Sequence, residues 1–305
     1  MAAPLIAIVG PTASGKSALA LGLARERDAE IVSCDSLQVY RGLDIGSAKP
    51  SEDEQREVPH HLIDVVDPDE LFSAAEYARR GRVALGGITG RGRLAIVAGG
   101  TGLYLRALTE GLFSGPARDD ETRRRLEALA ERHGDARLHR LLRHLDPEAA
   151  ARITPRDRVR TVRALEVYRA TGRPISDHHR EGTQPLRGYR VLTLGLNPDR
   201  TSLRQVVERR TRAMLERGLL DEVRGLLERG YGPALRPLRA IGYREAVAVV
   251  RGEMTSDEAE VAIVTATMQF AKRQMTWFRH QADVSWFEDP AAASRAAAAW
   301  LDALT

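Results

Sequence analysis

The chain has 305 residues, 43% of them hydrophobic and 29% charged. This suits one large globular domain, or a core with a smaller module, and argues against a largely disordered chain. The formal net charge is only +4, so bulk charge does not call for a nucleic-acid partner, and its distribution matters more than its sum. A lone cysteine, Cys34, excludes an internal disulfide and a cysteine-based zinc site. No apolar run nears the roughly 20 residues that cross a bilayer, so a reducing, cytoplasmic setting and no membrane partner are expected.

In chain order, residues 4–9 read as a buried strand running into a Gly-rich turn, with no basic segment ahead of it that would make a signal peptide. A helix is predicted over about 17–27, with Leu19, Leu21 and Leu23 at its apolar positions, and a second short strand over 30–34, ending at Asp35 and Ser36. Residues 73–85 have helical spacing behind a Ser73 cap. A third strand at 94–98 stops at Gly99-Gly100-Thr101-Gly102 and a helix follows from about Leu103. Strands alternating with helices predict a parallel sheet covered on both faces.

The pattern changes after Gly115-Pro116. Residues 119–133, 135–145 and 155–171 read as amphipathic helices with no strand between them. Strand character returns at 191–196, followed by helices near 199–217, 219–229, 241–251 and 256–279, a late strand at 284–288 and an Ala-rich terminal helix. The expected fold class is therefore α/β. A P-loop-containing parallel-sheet core (1–114 and 191–305) has helices on both faces, and an all-helical insertion occupies 115–190.

The chemistry begins at Gly10-Pro11-Thr12-Ala13-Ser14-Gly15-Lys16-Ser17, which matches G-x-x-x-x-G-K-[ST] between a strand and a helix. Successive backbone N–H groups at a helix N-terminus form an anion nest. Lys16 supplies a mobile charge to a terminal phosphate, and the Ser17 hydroxyl is a candidate Mg²⁺ ligand. The segment predicts a bound di- or triphosphate and does not by itself predict nucleotide hydrolysis. The later strand ends in Gly-Gly-Thr-Gly with no carboxylate, and no Asn-Lys-x-Asp segment is present to read guanine. A nucleotide or metabolite kinase, or an RNA-binding module with a structural phosphate, stays open on these residues alone. The chain has only three lysines, Lys16, Lys49 and Lys272, among 46 basic residues. Each marks a place where a compact charge, not a planar fork, is wanted; Lys49 and Lys272 are candidate phosphate contacts.

GPTASGKS, SCDSLQVYRGLDIGSAKP, VAGGTGLYLRAL, RAIGYREA and FAKRQMTWFRH stand in the order and spacing of the tRNA dimethylallyltransferase (isopentenyl-tRNA transferase) family, which the chain resembles from about residue 4 to 290. Departures are peripheral: Cys34 and Leu37 stand where the family often has Val and Arg, and Ser47 where Thr is common. The resemblance implies a core that holds dimethylallyl diphosphate, with Mg²⁺ as cofactor. It also implies a helical insertion that grips the tRNA anticodon stem-loop, and alkylation of N6 of the adenosine just 3′ of the anticodon. A monomer is expected.

By the same resemblance Asp35 is the base that takes the proton from the poorly nucleophilic adenine amine. Lys16 and the loop amides, with Thr101 and Arg210, face the charge that grows on the departing diphosphate. Ser36, Leu37 and Gln38 follow Asp35 on the loop that faces the base. Arg123, Val159, Arg160, Thr161, Val162, Arg163, Arg239, Gly242, Tyr243, Arg244, Arg273, Trp277, Arg279 and His280 are the remaining expected tRNA contacts, with splayed loop bases as their targets. Arg160 and Arg163, three apart on one helix, are expected to share a face. Trp277 is also read as a core residue, and Tyr77, Tyr104, Met214 and Met268 as packing.

Overall fold

The computed structural model describes residues 2–113 and 115–304; Ser114, where the expected first boundary falls, and the terminal Met1 and Thr305 lie outside the described residues. In chain order the elements are β1 (Ala3–Val9), α1 (Lys16–Glu26), β2 (Ala29–Ser33), α2 (Glu52–Glu57), β3 (His60–His61), α3 (Ala74–Gly90), β4 (Leu94–Ala98) and α4 (Gly102–Thr109). Then come α5 (Asp120–His133), α6 (Asp135–Leu145), α7 (Pro147–Arg152), α8 (Arg158–Thr171) and α9 (Ile175–Arg180). The last stretch is β5 (Tyr189–Leu196), α10 (Arg200–Glu216), α11 (Leu219–Glu228), a 3-10 turn (Pro237–Arg239), α12 (Tyr243–Val250), α13 (Ser256–Gln281), β6 (Ser285–Phe287) and α14 (Pro290–Asp302).

Every element predicted from periodicity is present. The unpredicted ones, α2, β3, α7 and α9, are six residues or shorter, too short for a period to register. Helix α2 does carry a capping box, Ser51 with Glu54, but buries no residue and so has no apolar stripe to read.

Two compact units result: the chain through Thr109 together with the chain from Leu186 onward, and Glu110–Pro185. In the first, six strands form one sheet in the order β3-β2-β4-β1-β5-β6, and every pairing is parallel. Tyr189 and Arg190 belong to this sheet, paired with Ala3 and Pro4. Alternation along β1 serves two cores. Leu5, Ala7 and Val9 pack with side chains of α3, α4, α11 and α12, while Ile6 and Ile8 pack with α1 and α14. Both faces of the strand are apolar because both are covered, and the loops that follow β1, β2, β4 and β5 emerge together at the carboxyl edge, where open α/β sheets bind ligands.

The second unit has its own core around Leu138, Leu142, Val162, Leu165 and Val167. Beside this core lies the fully buried carboxylate of Glu166. It accepts two hydrogen bonds from Arg123, both 2.9 Å, one of 2.7 Å from Arg163 and one of 2.7 Å from the Asp119 amide. Burial alone would raise this carboxyl, but the two arginines outweigh burial and hold it at about 2.

The pH consequence follows from the sign of that shift. With the folded carboxyl below its ordinary value of 4.5, its stabilisation is complete above that pH and is lost as pH falls toward about 2. Urea unfolding across this window should show a loss on the order of 3 kcal/mol, and Glu166→Gln should remove that acid dependence.

Candidate active site

The first loop, between β1 and α1, closes with Ala13 and Gly15 in left-handed backbone, at φ 64° and 90°, which turns successive N–H groups toward one side. Lys16 is buried and its Nζ donates to the Pro11 carbonyl at 2.5 Å. Burial, helped by the neighbouring Arg210 and opposed by Asp35, brings its ammonium down to about 8. Ser14 Oγ is buried with no hydrogen-bond partner among the described residues, and Ser17 at the start of α1 is exposed to the adjoining cavity.

The loops after β2 and β4 are stitched together. Cys34 N donates to the Ala98 carbonyl at 2.8 Å and Thr101 N to the Cys34 carbonyl at 3.1 Å. Thr101 Oγ1 in turn accepts from Ser36 N at 3.1 Å. Asp35 caps its own turn, Oδ1 accepting from Leu37 N at 2.8 Å, which leaves its other oxygen without a hydrogen bond among the described residues. The glycines of Gly-Gly-Thr-Gly allow this closeness: a Cβ on Gly99 would stand 2.1 Å from the Cys34 carbonyl oxygen, and one on Gly102 would stand 2.2 Å from Trp277. The Cys34 thiol, pushed up to about 12 by burial, stays protonated and is no nucleophile.

Sequence reasoning missed two anchors here. Gln274, buried on α13, accepts from Thr12 N at 2.8 Å and donates to the Gly100 carbonyl at 2.9 Å. Its signal was present: with Ala271 and Phe278 it falls on the buried stripe of α13. Glu222 on α11 accepts from the amides of Asp44 (2.9 Å), Ile45 (2.7 Å) and Gly46 (3.3 Å) and from the Tyr243 hydroxyl at 2.7 Å. Lys49, read as a phosphate contact, is corrected by its surroundings. Its ammonium donates to the Tyr40 carbonyl at 2.6 Å, to Asp44 at 2.6 Å and to Asp64, so it organises the 40–64 segment.

Two cavities meet at these loops. One, of about 580 Å³, is lined by the first loop, Lys16, Ser17, Gly99, Gly100 and Pro290. The other, of about 390 Å³, is lined by Thr101, Val207, Met214, Arg236, Arg239, Ile263 and others. Thr12, Ala13, Asp35, Ser47, Arg210, Phe270 and Gln274 line both. Met214, expected to be packing alone, faces the second cavity. Arg210 has no ion pair among the described residues, and burial lowers its guanidinium against the pull of Asp35, though an arginine stays charged.

The expected RNA contacts divide by burial. In the second unit Arg160 and Val159 are 72% and 75% exposed, while Thr161 and Val162 are buried. Arg123 and Arg163 turn inward onto Glu166, with Arg163 also on the Pro116 carbonyl at 3.0 Å. Arg160 and Arg163 therefore do not present one common face. In the first unit Arg239, Arg244, Arg273, Arg279 and His280 are exposed. Arg244 is paired with Glu245 at 2.5 Å. Tyr243 is fully buried beneath Gly46, its hydroxyl pushed up by burial and by Glu222. Gly242, which opens α12, is likewise buried. Leu37 packs against the core, and the Gln38 amide is engaged by Ser33 at 2.8 Å and by the Ala48 carbonyl at 3.1 Å.

Fold and site together define a P-loop α/β protein with a helical insertion and a phosphate loop that opens onto a second, largely apolar-walled cavity. A family model described as IPP transferase matches residues 38–281. The chain is 50% identical over 286 residues to a tRNA dimethylallyltransferase of Solibacter usitatus, covering 94% of this chain and 93% of the relative. It is similar to the crystal structure of a tRNA isopentenylpyrophosphate transferase from Bacillus halodurans, with 40% identity, TM-score 0.67, and coverage of 93% of this chain and 89% of that one. A eukaryotic dimethylallyltransferase described as acting on tRNA superposes with TM-score 0.76 at 27% identity, covering 93% of this chain and 74% of that one. The chain belongs to the IPP transferase family and is a transferase, which sets the kinase reading aside.

Gly99→Ala should cost about 1–3 kcal/mol, because its methyl meets backbone that cannot step aside. Gly22→Ala on α1, with nothing within 4 Å of its Cβ, should be neutral or stabilising. Chemical denaturation of the two variants in parallel checks the contrast.

Proposed function

We propose that this protein transfers the dimethylallyl group of dimethylallyl diphosphate to N6 of the adenosine immediately 3′ of the anticodon in tRNA, releasing diphosphate. The observation that carries this reading is the shared wall of the two cavities. Asp35 and Arg210 line both, so a donor held at its phosphate end has its reacting carbon beside a carboxylate and a cation. The diphosphate lies on the loop 10–17, with Lys16, Arg210 and the Ser14 hydroxyl, which has no partner among the described residues, as donors.

The reaction forms the N6–C1 bond and breaks the C1–O bond, the electron pair leaving with the diphosphate. Charge grows on that oxygen only as the bond breaks, so Lys16, Arg210 and the loop amides favour the transition state over the ground state. Thr101, held to the Asp35 loop through Ser36 N, faces the second cavity beside that wall. The amine proton goes to the free oxygen of Asp35. A Mg²⁺ ion bound together with the donor would take the Ser17 hydroxyl as its protein oxygen. Such an ion would neutralise leaving-group charge.

The tRNA partner is recognised through exposed cations, Arg160 on the helical unit and Arg239, Arg273, Arg279, Lys272 and His280 on the core, which contact phosphates and splayed bases. Arg123, Thr161, Val162 and Arg163 support the first of these surfaces from inside, and Trp277 and Tyr243 support the second. We take the protein to act as a monomer. No described helix is long and apolar enough to cross a membrane, and we place the activity in the cytoplasm.

Incubation with labelled dimethylallyl diphosphate and an anticodon stem-loop should put label on the adenosine after the anticodon; label that stays on the donor, or ATP consumed in its place, overturns the reading. Asp35→Asn should lower single-turnover transfer by about 10²–10⁴ with stem-loop affinity unchanged. Affinity for inorganic diphosphate should fall as pH rises through about 8, because the depressed Lys16 must regain a proton to bind. Calorimetry in two buffers should show proton uptake above that pH, and Lys16→Met should abolish the effect.

A further inference from the structure

Gln274 sits in none of the loops that carry the reacting groups, yet it touches two of them. On one side its Oε1 accepts the Thr12 amide at 2.8 Å, inside the phosphate loop. On the other its Nε2 donates to the Gly100 carbonyl at 2.9 Å, inside the turn that carries Thr101. It is buried, at 7% exposure, so each of these bonds replaces one that water would otherwise make, and breaking either leaves an orphan. From Gly100 the connection continues through Thr101, whose Oγ1 accepts from Ser36 N at 3.1 Å, next to Asp35. Three segments far apart in sequence are therefore held in register by one amide. That closeness also explains Gly100: a Cβ there would stand 2.2 Å from Gln274 Nε2.

Resting on the transfer reading above, we infer that Gln274 is the positioning residue that sets the distance between the diphosphate cradle and the loop carrying the base Asp35. Only an amide does this, because one terminus must accept and the other must donate. A carboxylate has no donor for Gly100, and an aliphatic chain has neither. The groups it aligns act on the two ends of one reacting centre, where a misplacement of about 1 Å costs about 10²-fold in rate.

The test uses the full chain with Gln274→Glu, which keeps the acceptor and removes the donor, and Gln274→Leu, which keeps the volume and removes both. At saturating substrates kcat should fall about 10²-fold in Gln274→Leu and substantially in Gln274→Glu, with stem-loop Kd unchanged. Amide exchange, read without substrate, should show Thr12 and Thr101 losing protection together in Gln274→Leu, and Thr101 alone in Gln274→Glu. In combination with Thr101→Val, the Gln274→Glu loss should be less than multiplicative, since both break one chain of contacts. Wild-type kcat in a folded Gln274→Glu, exchange confined to one loop in Gln274→Leu, or strictly multiplicative losses each overturn the inference. If the wild type transfers no label, the activity reading fails, and the exchange pattern still decides the role of Gln274.

Discussion

The constraint on which the rest of the structure depends is the close approach of backbone to backbone at the carboxyl edge of the sheet. A highly charged anion is best held by preorganised N–H groups, and these cost nothing to reorganise when charge shifts during reaction. Such groups must converge within a few ångströms, which leaves no room for Cβ atoms between the loops after β1, β2 and β4. Gly99, Gly100 and Gly102 are there for that reason, each facing a different neighbour: the Cys34 carbonyl, Gln274 and Trp277.

Charge is then distributed sparingly for a chain so rich in arginine. Glu30 gathers Arg91 and Arg93, and Glu166 gathers Arg123 and Arg163. Many other arginines pair with carboxylates on the surface, as Arg79 and Arg80 do with Glu76, where each pair contributes little to stability. Arg210, half-buried in the wall shared by the two cavities and close enough to Asp35 and Lys16 to influence and be influenced by their charge, is different in kind. It has no ion-pair partner among the described residues, so its charge is not neutralised at contact distance as the others are. Two of the three lysines use their compactness in opposite ways: Lys49 is spent on two carboxylates and a carbonyl, whereas Lys16 donates to a loop carbonyl inside the first loop.

The 40–49 segment shows how a loop can be made rigid without regular structure. Glu222 collects three consecutive amides, as a helix N-terminus would collect an anion, and Tyr243 closes the arrangement from beneath Gly46. This fixes the far end of the loop that starts at Asp35, so the carboxylate is positioned from both sides, by Glu222 at one end and by Thr101 at the other.

Much of this protein is written locally. The phosphate loop with Lys16, the strand–helix alternation and the helical stretch between the two halves of the core all follow from short segments, because nests, periodicity and caps are properties of neighbours in sequence; the candidacy of Asp35 and Thr101 came from the resemblance of their motifs to the family. Burial and partnership are not. Arg160 and Arg163 are three residues apart and look alike, yet one faces outward and the other is turned onto Glu166 one turn along the same helix, a carboxylate that Arg123 of α5 also reaches where it is buried. Lys49 looked like a phosphate ligand until Asp44 and Asp64 folded around it. Gln274 stands 262 residues from Thr12, and no local rule joins them. The sequence by itself determined which backbone could cradle an anion and which side chains could move a proton. The tertiary structure alone decided which charges remain free to do so, because neutralisation depends on what folding brings within hydrogen-bond distance.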